Sequence, residues 1–202
     1  MYEEHDLLPI PEWQARRVDT LRARMREAGC VFDFTVRRMD LPVHKPSETH
    51  HRALLGALFR EVSERGPGKW TPRVDLAAAH PTPWPSECVT DPKGFLPKRR
   101  IDIRRDRVSI SPFEWLFQAF DDPPYGARCE MGLFSEFCEE VGLWPNRGIE
   151  VWDWVGDPDV NPGRSDWCDY FDQGKEWWGI WCLTIWNPRE RTLAASAASS
   201  TD

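Results

Sequence analysis

The chain has 202 residues, 41% of them hydrophobic and 29% charged, which suits one globular domain with a core of its own. Its formal net charge of −7 disfavours generic nucleic-acid binding through a basic surface. The N-terminal residues lack the apolar core of a signal peptide, and no apolar run approaches the ~20 residues of a membrane helix, so we expect a cytoplasmic protein with no membrane partner.

Cysteine and arginine usage adds two expectations about the source. The six cysteines are widely spaced and form no C-x-x-C pair, which argues against a disulfide framework in a chain of this size. The arginine-rich composition, with 21 arginines against 5 lysines, is typical of a GC-rich bacterial genome. The sequence therefore predicts a bacterial protein from a reducing compartment.

Two helices and a strand are predicted in the first third of the chain. Apolar residues recur at helical spacing between Pro11 and Gly29, which indicates an amphipathic helix. The stretch "CVFDFTVRRM" alternates apolar and polar residues, as a half-buried strand does. Ser47 is a suitable cap for a helix that runs to Arg65.

The middle of the chain is less regular. Residues 66–97 are rich in proline and read as an irregular segment, with a short strand predicted at "RVDLAAAH". The basic stretch 98–107 predicts a hairpin, which either contacts phosphate or an acidic partner or protects a sheet edge with charge. A capping box at 111–114 begins a third helix, and a fourth ends at Gly142.

The last quarter predicts three strands, "GIEVWDWV", "EWWGIWCLTIW" and "RTLAASAAS", that form a tryptophan-rich antiparallel meander. The second strand is apolar on both sides, so we expect a central strand covered on both faces. Helices grouped between strands favour an α+β fold over a βαβ fold. The sequence thus predicts one α+β domain over residues 1–202, a mainly antiparallel sheet with about four helices packed on it, on one face.

Tryptophan is concentrated in this meander. Eight of the twelve tryptophans lie between Trp144 and Trp186, among many acids. Packing of a central strand explains this concentration by itself. The other interpretation is a binding site, because indole faces beside carboxylates attract cations. The predicted ligand-binding residues are Trp152, Trp154, Trp167, Tyr170, Trp177 and Trp178.

The stretch "DYFDQGKEWW" is also the candidate catalytic segment. Asp169, Asp172 and Glu176 are close enough in sequence to act as an acid and a base, if an apolar wall kept one of them protonated. A surface turn in which Lys175 pairs locally with acids explains the same residues without catalysis. No sequence pattern indicates a metal site or a cofactor, and adjacent His50 and His51 point about 100° apart on a helix, which makes joint metal binding difficult.

Two functions follow as the main alternatives, and a structural subunit of a larger assembly is a third interpretation. The first is an interaction protein of the antidote, immunity or adaptor type, which binds a protein partner with an acidic, tryptophan-rich C-terminal surface. The second is a small enzyme that acts on an amine-bearing or cationic metabolite in an aromatic pocket. A deep cleft with convergent carboxylates would favour the enzyme, and a flat aromatic surface would favour the interaction protein.

Overall fold

The computed structural model describes residues 6–40, 45–65, 70–84, 112–121, 131–143, 148–176 and 179–199 of the chain. The helices in these ranges are α1 (Glu12–Glu27), α2 (Glu48–Arg65), α3 (Pro112–Asp121) and α4 (Met131–Glu140). The strands are β1 (Leu7–Pro9), β2 (Phe32–Met39), β3 (Thr82–Pro83), β4 (Glu150–Asp153), β5 (Ile180–Asn187) and β6 (Thr192–Ser199). Three short 3-10 turns lie between β4 and β5, at Pro162–Ser165, Asp169–Phe171 and Gly174–Glu176.

The described strands form one sheet in the order β1-β2-β6-β5-β4-β3, and every neighbouring pair is antiparallel. Strands β4, β5 and β6 are consecutive neighbours, which confirms the predicted C-terminal meander. Strand β6 continues the sheet onto β2, with Thr35 opposite Ala195. The α+β fold predicted from the sequence is therefore confirmed.

Two separate cores lie on the two faces of this sheet. The phenylalanine core contains six phenylalanines from β2, α3 and α4 and the buried residues of α1: Phe32, Phe34, Phe117, Phe120, Phe134, Phe137, Val18, Leu21 and Met25. The tryptophan core contains the apolar residues of α2 and three indoles: Leu54, Leu55, Leu58, Phe59, Val62, Trp154, Trp167 and Trp186. Helices thus cover both faces, α2 on one and the other three on the opposite one, which corrects the expectation of helices on one face.

Strand β5 explains why both faces need cover. Its residues Ile180, Cys182 and Trp186 lie in the tryptophan core, whereas Leu183 and Ile185 lie in the phenylalanine core. A strand that is apolar on both sides is stable only when both sides are removed from water. The sequence prediction of a central strand covered on both faces is confirmed.

Local signals set the boundaries of most helices. Helix α1 begins directly after Pro11, whose carbonyl accepts the N–H of Ala15 at 2.9 Å, and it ends before Gly29, which has a φ of 73°. Ser47 precedes α2, and its carbonyl accepts the N–H of His50 at 3.1 Å. Helix α3 begins at Pro112, as the capping box predicts. No helix within the described ranges is both long and apolar enough to cross a bilayer.

The middle of the chain differs from the sequence prediction at residues 73–80. The stretch "RVDLAAAH" is not a strand, because only Val74 forms a β-bridge, with Cys168, and residues 76–78 then turn. The strand of this region is the two-residue β3. The predicted basic hairpin at 98–107 lies outside the described residues, as do residues 85–97.

Candidate functional site

Two of the predicted ligand-binding rings are enclosed in the tryptophan core. Trp154 is 0% exposed and Trp167 is 4% exposed. Their indole N–H groups have partners inside the protein, since Trp154 donates to Thr184 Oγ1 at 2.8 Å and Trp167 donates to the Trp154 carbonyl at 3.1 Å. Phe59 packs edge-on against Trp167. In this conformation both rings serve packing, and a ligand cannot touch them.

Trp152 is half-buried and adjoins a buried histidine. Its indole stacks on the ring of His51, which is 0% exposed. His51 Nδ1 lies 2.8 Å from Thr184 Oγ1. Because the Thr184 oxygen accepts the N–H of Trp154, its own proton is available to donate to His51. Burial, followed by the nearby charges of His50 and Lys45, lowers the pKa of His51 to about 3, so this imidazole is neutral.

An aromatic pair, Tyr170 and Trp70, lies at the protein surface next to the tryptophan core. The ring of Tyr170, which is half-buried, stacks at 6.3 Å on the indole of Trp70, which is 51% exposed. The segment that carries Trp70 is held by backbone hydrogen bonds to the turn that carries Tyr170, through Asp75 N–H to the Trp167 carbonyl at 2.7 Å. Trp70 was not predicted, because it lies in the proline-rich segment far from the tryptophan-dense region. Trp177 and Trp178 lie outside the described residues.

The two predicted carboxylates that the structure describes, those of Asp169 and Asp172, have different partners. Asp169 accepts the backbone N–H of Arg73 through Oδ1 at 2.8 Å, and this bond fixes the two segments to each other. Asp172 lies 3.4 Å from Lys175 Nζ, which also donates to Asp166 at 2.8 Å. Glu176 ends the third 3-10 turn, and its side chain lies outside the described atoms. These contacts are those of a surface turn, and the catalytic role of the three acids stays a prediction.

Several acids around this turn face solvent. The side chain of Asp166 is 68% exposed and that of Asp172 is 59% exposed. Earlier in the same loop, Asp157 and Asp159 are also exposed, and Val160, which follows them, is 81% exposed. Together with the Trp70–Tyr170 stack, Asp166 and Asp172 form what we call the acidic aromatic surface, defined by Trp70, Tyr170, Asp166 and Asp172.

A groove of about 460 Å³ adjoins the acidic aromatic surface. It runs between α2 and the segment that follows Trp70, and Ser63 on its wall donates to the Trp70 carbonyl at 3.2 Å. Its apolar floor is formed by Phe59, Pro72, Val74 and Leu76. Gly56 also lines the groove, and a Cβ at this position would narrow the groove by contacting Leu76 Cδ1 at 3.4 Å.

A polar cluster beneath Tyr170 was missed by the sequence analysis. Tyr170 donates its hydroxyl to Asp33 Oδ2 at 3.3 Å, and burial raises the pKa of both groups. Two residues further along β2, Thr35 donates to Glu61 at 2.8 Å, and Arg37 does so at 2.6 Å. The alternation of β2 placed these polar residues on one side of the strand correctly. That this side faces a helix and not solvent depends on tertiary packing, which alternation does not encode.

Within the described residues, no group of three or more histidines, cysteines, aspartates or glutamates is arranged to hold a metal ion. Comparisons of the chain with protein-family models, with curated proteins and with solved structures found no match. The geometry of this site is therefore the basis of the proposed function.

Proposed function

We propose that this chain is a cytoplasmic bacterial interaction protein, of the antidote, immunity or adaptor type, that binds a basic protein partner with the acidic aromatic surface. The observation that carries the proposal is the exposed stack of Trp70 on Tyr170 beside acids that face solvent. Tryptophan is a preferred anchor in protein interfaces, and about half of the Trp70 side chain is available for contact with a partner.

The charges around the stack support a basic partner. Lys175 is only 20% exposed and is engaged by Asp166 and Asp172, whose carboxylates still face solvent. Arg164 turns towards the protein and donates to the Asp153 carbonyl. Among the described residues, the exposed cations on this side are Arg73 and Arg60, and exposed Glu64 lines the same groove as Arg60. The negative excess attracts lysine or arginine side chains over a Debye length of about 8 Å at physiological ionic strength.

The groove beside Trp70 supports a protein ligand over a metabolite. It is a shallow depression beside an exposed ring, and the deeply buried indoles of the tryptophan core do not open into it. Apolar pockets that flank an aromatic anchor accept side chains from a partner. The alternative, a small enzyme with Asp169, Asp172 and Glu176 as acid and base, receives less support, because Asp169 and Asp172 are engaged in turn contacts.

The cysteines support the reducing compartment. Cys138, Cys168 and Cys182 are buried thiols, and burial raises the pKa of Cys168 to about 12. Buried cysteines that form no disulfide are typical of proteins from a reducing compartment.

The test is a pull-down from a bacterial lysate with the immobilised full chain, followed by mass spectrometry of bound proteins and small molecules. We expect one stoichiometric protein with a basic surface, released by raised salt concentration, and lost with Trp70→Ala and with Asp172→Lys. Trp13→Ala is the matched control, because Trp13 is 62% exposed on α1, at the other face of the sheet.

Retention of the partner by the Trp70→Ala chain, or equal loss with Trp13→Ala, would contradict the proposal. A bound amine-bearing metabolite in place of a protein would favour the enzyme.

A further inference from the structure

A polar pocket lies at the outer edge of β2, away from the acidic aromatic surface. Strand β1 pairs only with residues 37–39 of β2, so residues 32–36 have no strand partner on that side among the described residues. Arg22, from α1, covers this edge and donates from Nη2 to the Phe34 carbonyl at 2.6 Å. A charged side chain at this place protects the edge from further strand pairing.

Three arginines and one carboxylate line the pocket beside this edge. It has a volume of about 130 Å³, and its charged residues are Arg22, Arg26, Asp33 and Arg65. The pocket is much smaller than the ~300–1,000 Å³ of a typical drug-sized ligand site. Its size suits one charged group of a ligand.

The arginines of the pocket are incompletely neutralised. Glu61 pairs with Arg37 at 2.6 Å, but its contacts with Arg22 and Arg65 are longer, at 3.4 and 3.3 Å. Its other oxygen contact is the Thr35 hydroxyl. Glu61 is therefore shared among three guanidinium groups, and Arg22 also contacts Asp19 at 3.1 Å. With Asp33, three carboxylates serve four arginines at this edge, and three of these arginines line the pocket.

Arg22 itself is in an unusual state for an arginine. Its Nε is buried, and no hydrogen-bond partner for it lies in the described part of the chain. Burial, and then the positive charge of Arg65, lower the pKa of Arg22. A buried donor without a partner costs free energy, and repulsion between two guanidinium groups adds to it. The charges of Glu61 and Asp19 oppose this repulsion in part. An anion bound beside Arg22 and Arg65 would oppose it further.

From this geometry we infer that the pocket at the edge of β2 binds an oxyanion group of a small molecule, a carboxylate or a phosphate, through Arg22, Arg26 and Arg65. Guanidinium groups hold both anions through charge-assisted hydrogen bonds. Asp33 lies on the same wall, and its ionised carboxylate repels a bound anion. The repulsion disappears when Asp33 is protonated, and a ligand hydroxyl that donates a hydrogen bond to Asp33 would offset it. The inference goes beyond the proposed protein partner and does not depend on it.

The test titrates the full chain with inorganic phosphate and, separately, with acetate, while the Arg22 Nε–H signal is followed by NMR. We expect saturable shifts in the millimolar range with at least one anion, and the tighter anion identifies the ligand class. Arg26→Gln should weaken binding by on the order of tenfold, the equivalent of one lost charge-assisted contact. Arg26 is exposed, so this variant keeps its fold.

The matched control is Arg60→Gln, which removes the same charge from α2 at the apolar groove and not at the pocket. We expect it to leave the affinity unchanged within about twofold, whereas Asp33→Asn should tighten binding several-fold by removing a negative charge. Shifts that do not saturate with either anion, or equal weakening by Arg26→Gln and Arg60→Gln, would overturn the inference, since both results indicate ionic screening without a site.

Discussion

The ring of His51 lies parallel to the indole of Trp152, with centroids 4.1 Å apart and 11° between the planes. This histidine is fully buried, and its Nδ1 is bonded to the Thr184 hydroxyl. Its neutral form is therefore part of the tryptophan core, and adding a proton would place an unbalanced charge there. Protonation of His51 and loss of the Thr184 hydroxyl should therefore both destabilise the folded protein.

Acid should destabilise the protein through His51. Its pKa is about 3 in the folded state, because of burial, against about 6.5 in an unfolded chain. Below pH 6.5 the unfolded chain binds a proton that the folded chain does not, so the free energy of unfolding falls as the pH drops. The slope approaches about 1.4 kcal/mol per pH unit. Urea unfolding between about pH 7.5 and 5 measures it.

His51→Asn is the control for this slope, because asparagine keeps an acceptor near Thr184 and does not titrate. We expect the free energy of unfolding of the variant to depend less on pH than that of the wild type. Identical slopes in the two proteins would show that His51 is not the group that takes up the proton.

Thr184→Val should destabilise the protein at every pH. Valine has the shape of threonine but lacks the hydroxyl, so the Trp154 N–H and His51 Nδ1 both lose their partner. Each buried unpaired group costs about 1–3 kcal/mol. Thr184→Ser keeps the hydroxyl and should cost only about 1 kcal/mol for the lost methyl group. The prediction fails if the serine variant is the less stable of the two in chemical denaturation.

Ala195→Leu should destabilise the sheet by about 1–3 kcal/mol through overpacking. Ala195 is 0% exposed in the tryptophan core, and its small side chain leaves room for the neighbouring large rings. Ala78→Leu introduces the same side chain in an exposed turn and should be close to neutral. A comparison of the two melting temperatures tests the idea, and equal shifts would argue against it.

Asp33→Asn should stabilise the protein at neutral pH. Burial raises the pKa of Asp33 in spite of the favourable charge of Arg65 and the hydrogen bond from Tyr170, so the ionised form is disfavoured in the folded state. A raised carboxyl pKa means that the folded protein gains stability as the pH falls. The advantage of asparagine should therefore be largest at neutral pH and shrink in acid, which urea titrations at several pH values will show. An advantage that grows in acid would contradict this sign.

Much of the fold was accessible from the sequence because local signals agreed with tertiary packing. Pro11 and Gly29 mark the limits of α1, and the two apolar sides of β5 required cover on both faces. The placement of three helices on one face and one on the other was not accessible, since periodicity shows which residues of a helix are buried but not against which face of the sheet.

The site was harder to predict, because tryptophan composition does not distinguish a buried ring from an exposed one. Trp154 and Trp167 satisfy their N–H groups inside the protein, whereas Trp70 is exposed although it lies outside the dense region. The pocket at the edge of β2 combines residues of α1, α2 and β2, and no motif joins them. Such a site becomes visible only when the elements are packed.

The pairing of β2 with β6 has a consequence for synthesis in the cell. Ser196 donates to the Asp33 carbonyl across 163 positions of sequence, in the middle of the sheet. A ribosome completes β2 (Phe32–Met39) before it begins β6 (Thr192–Ser199), so β2 lacks this partner while the residues between them are made. Contacts of such long range slow folding and leave an unpaired strand edge accessible to other chains until β6 is made.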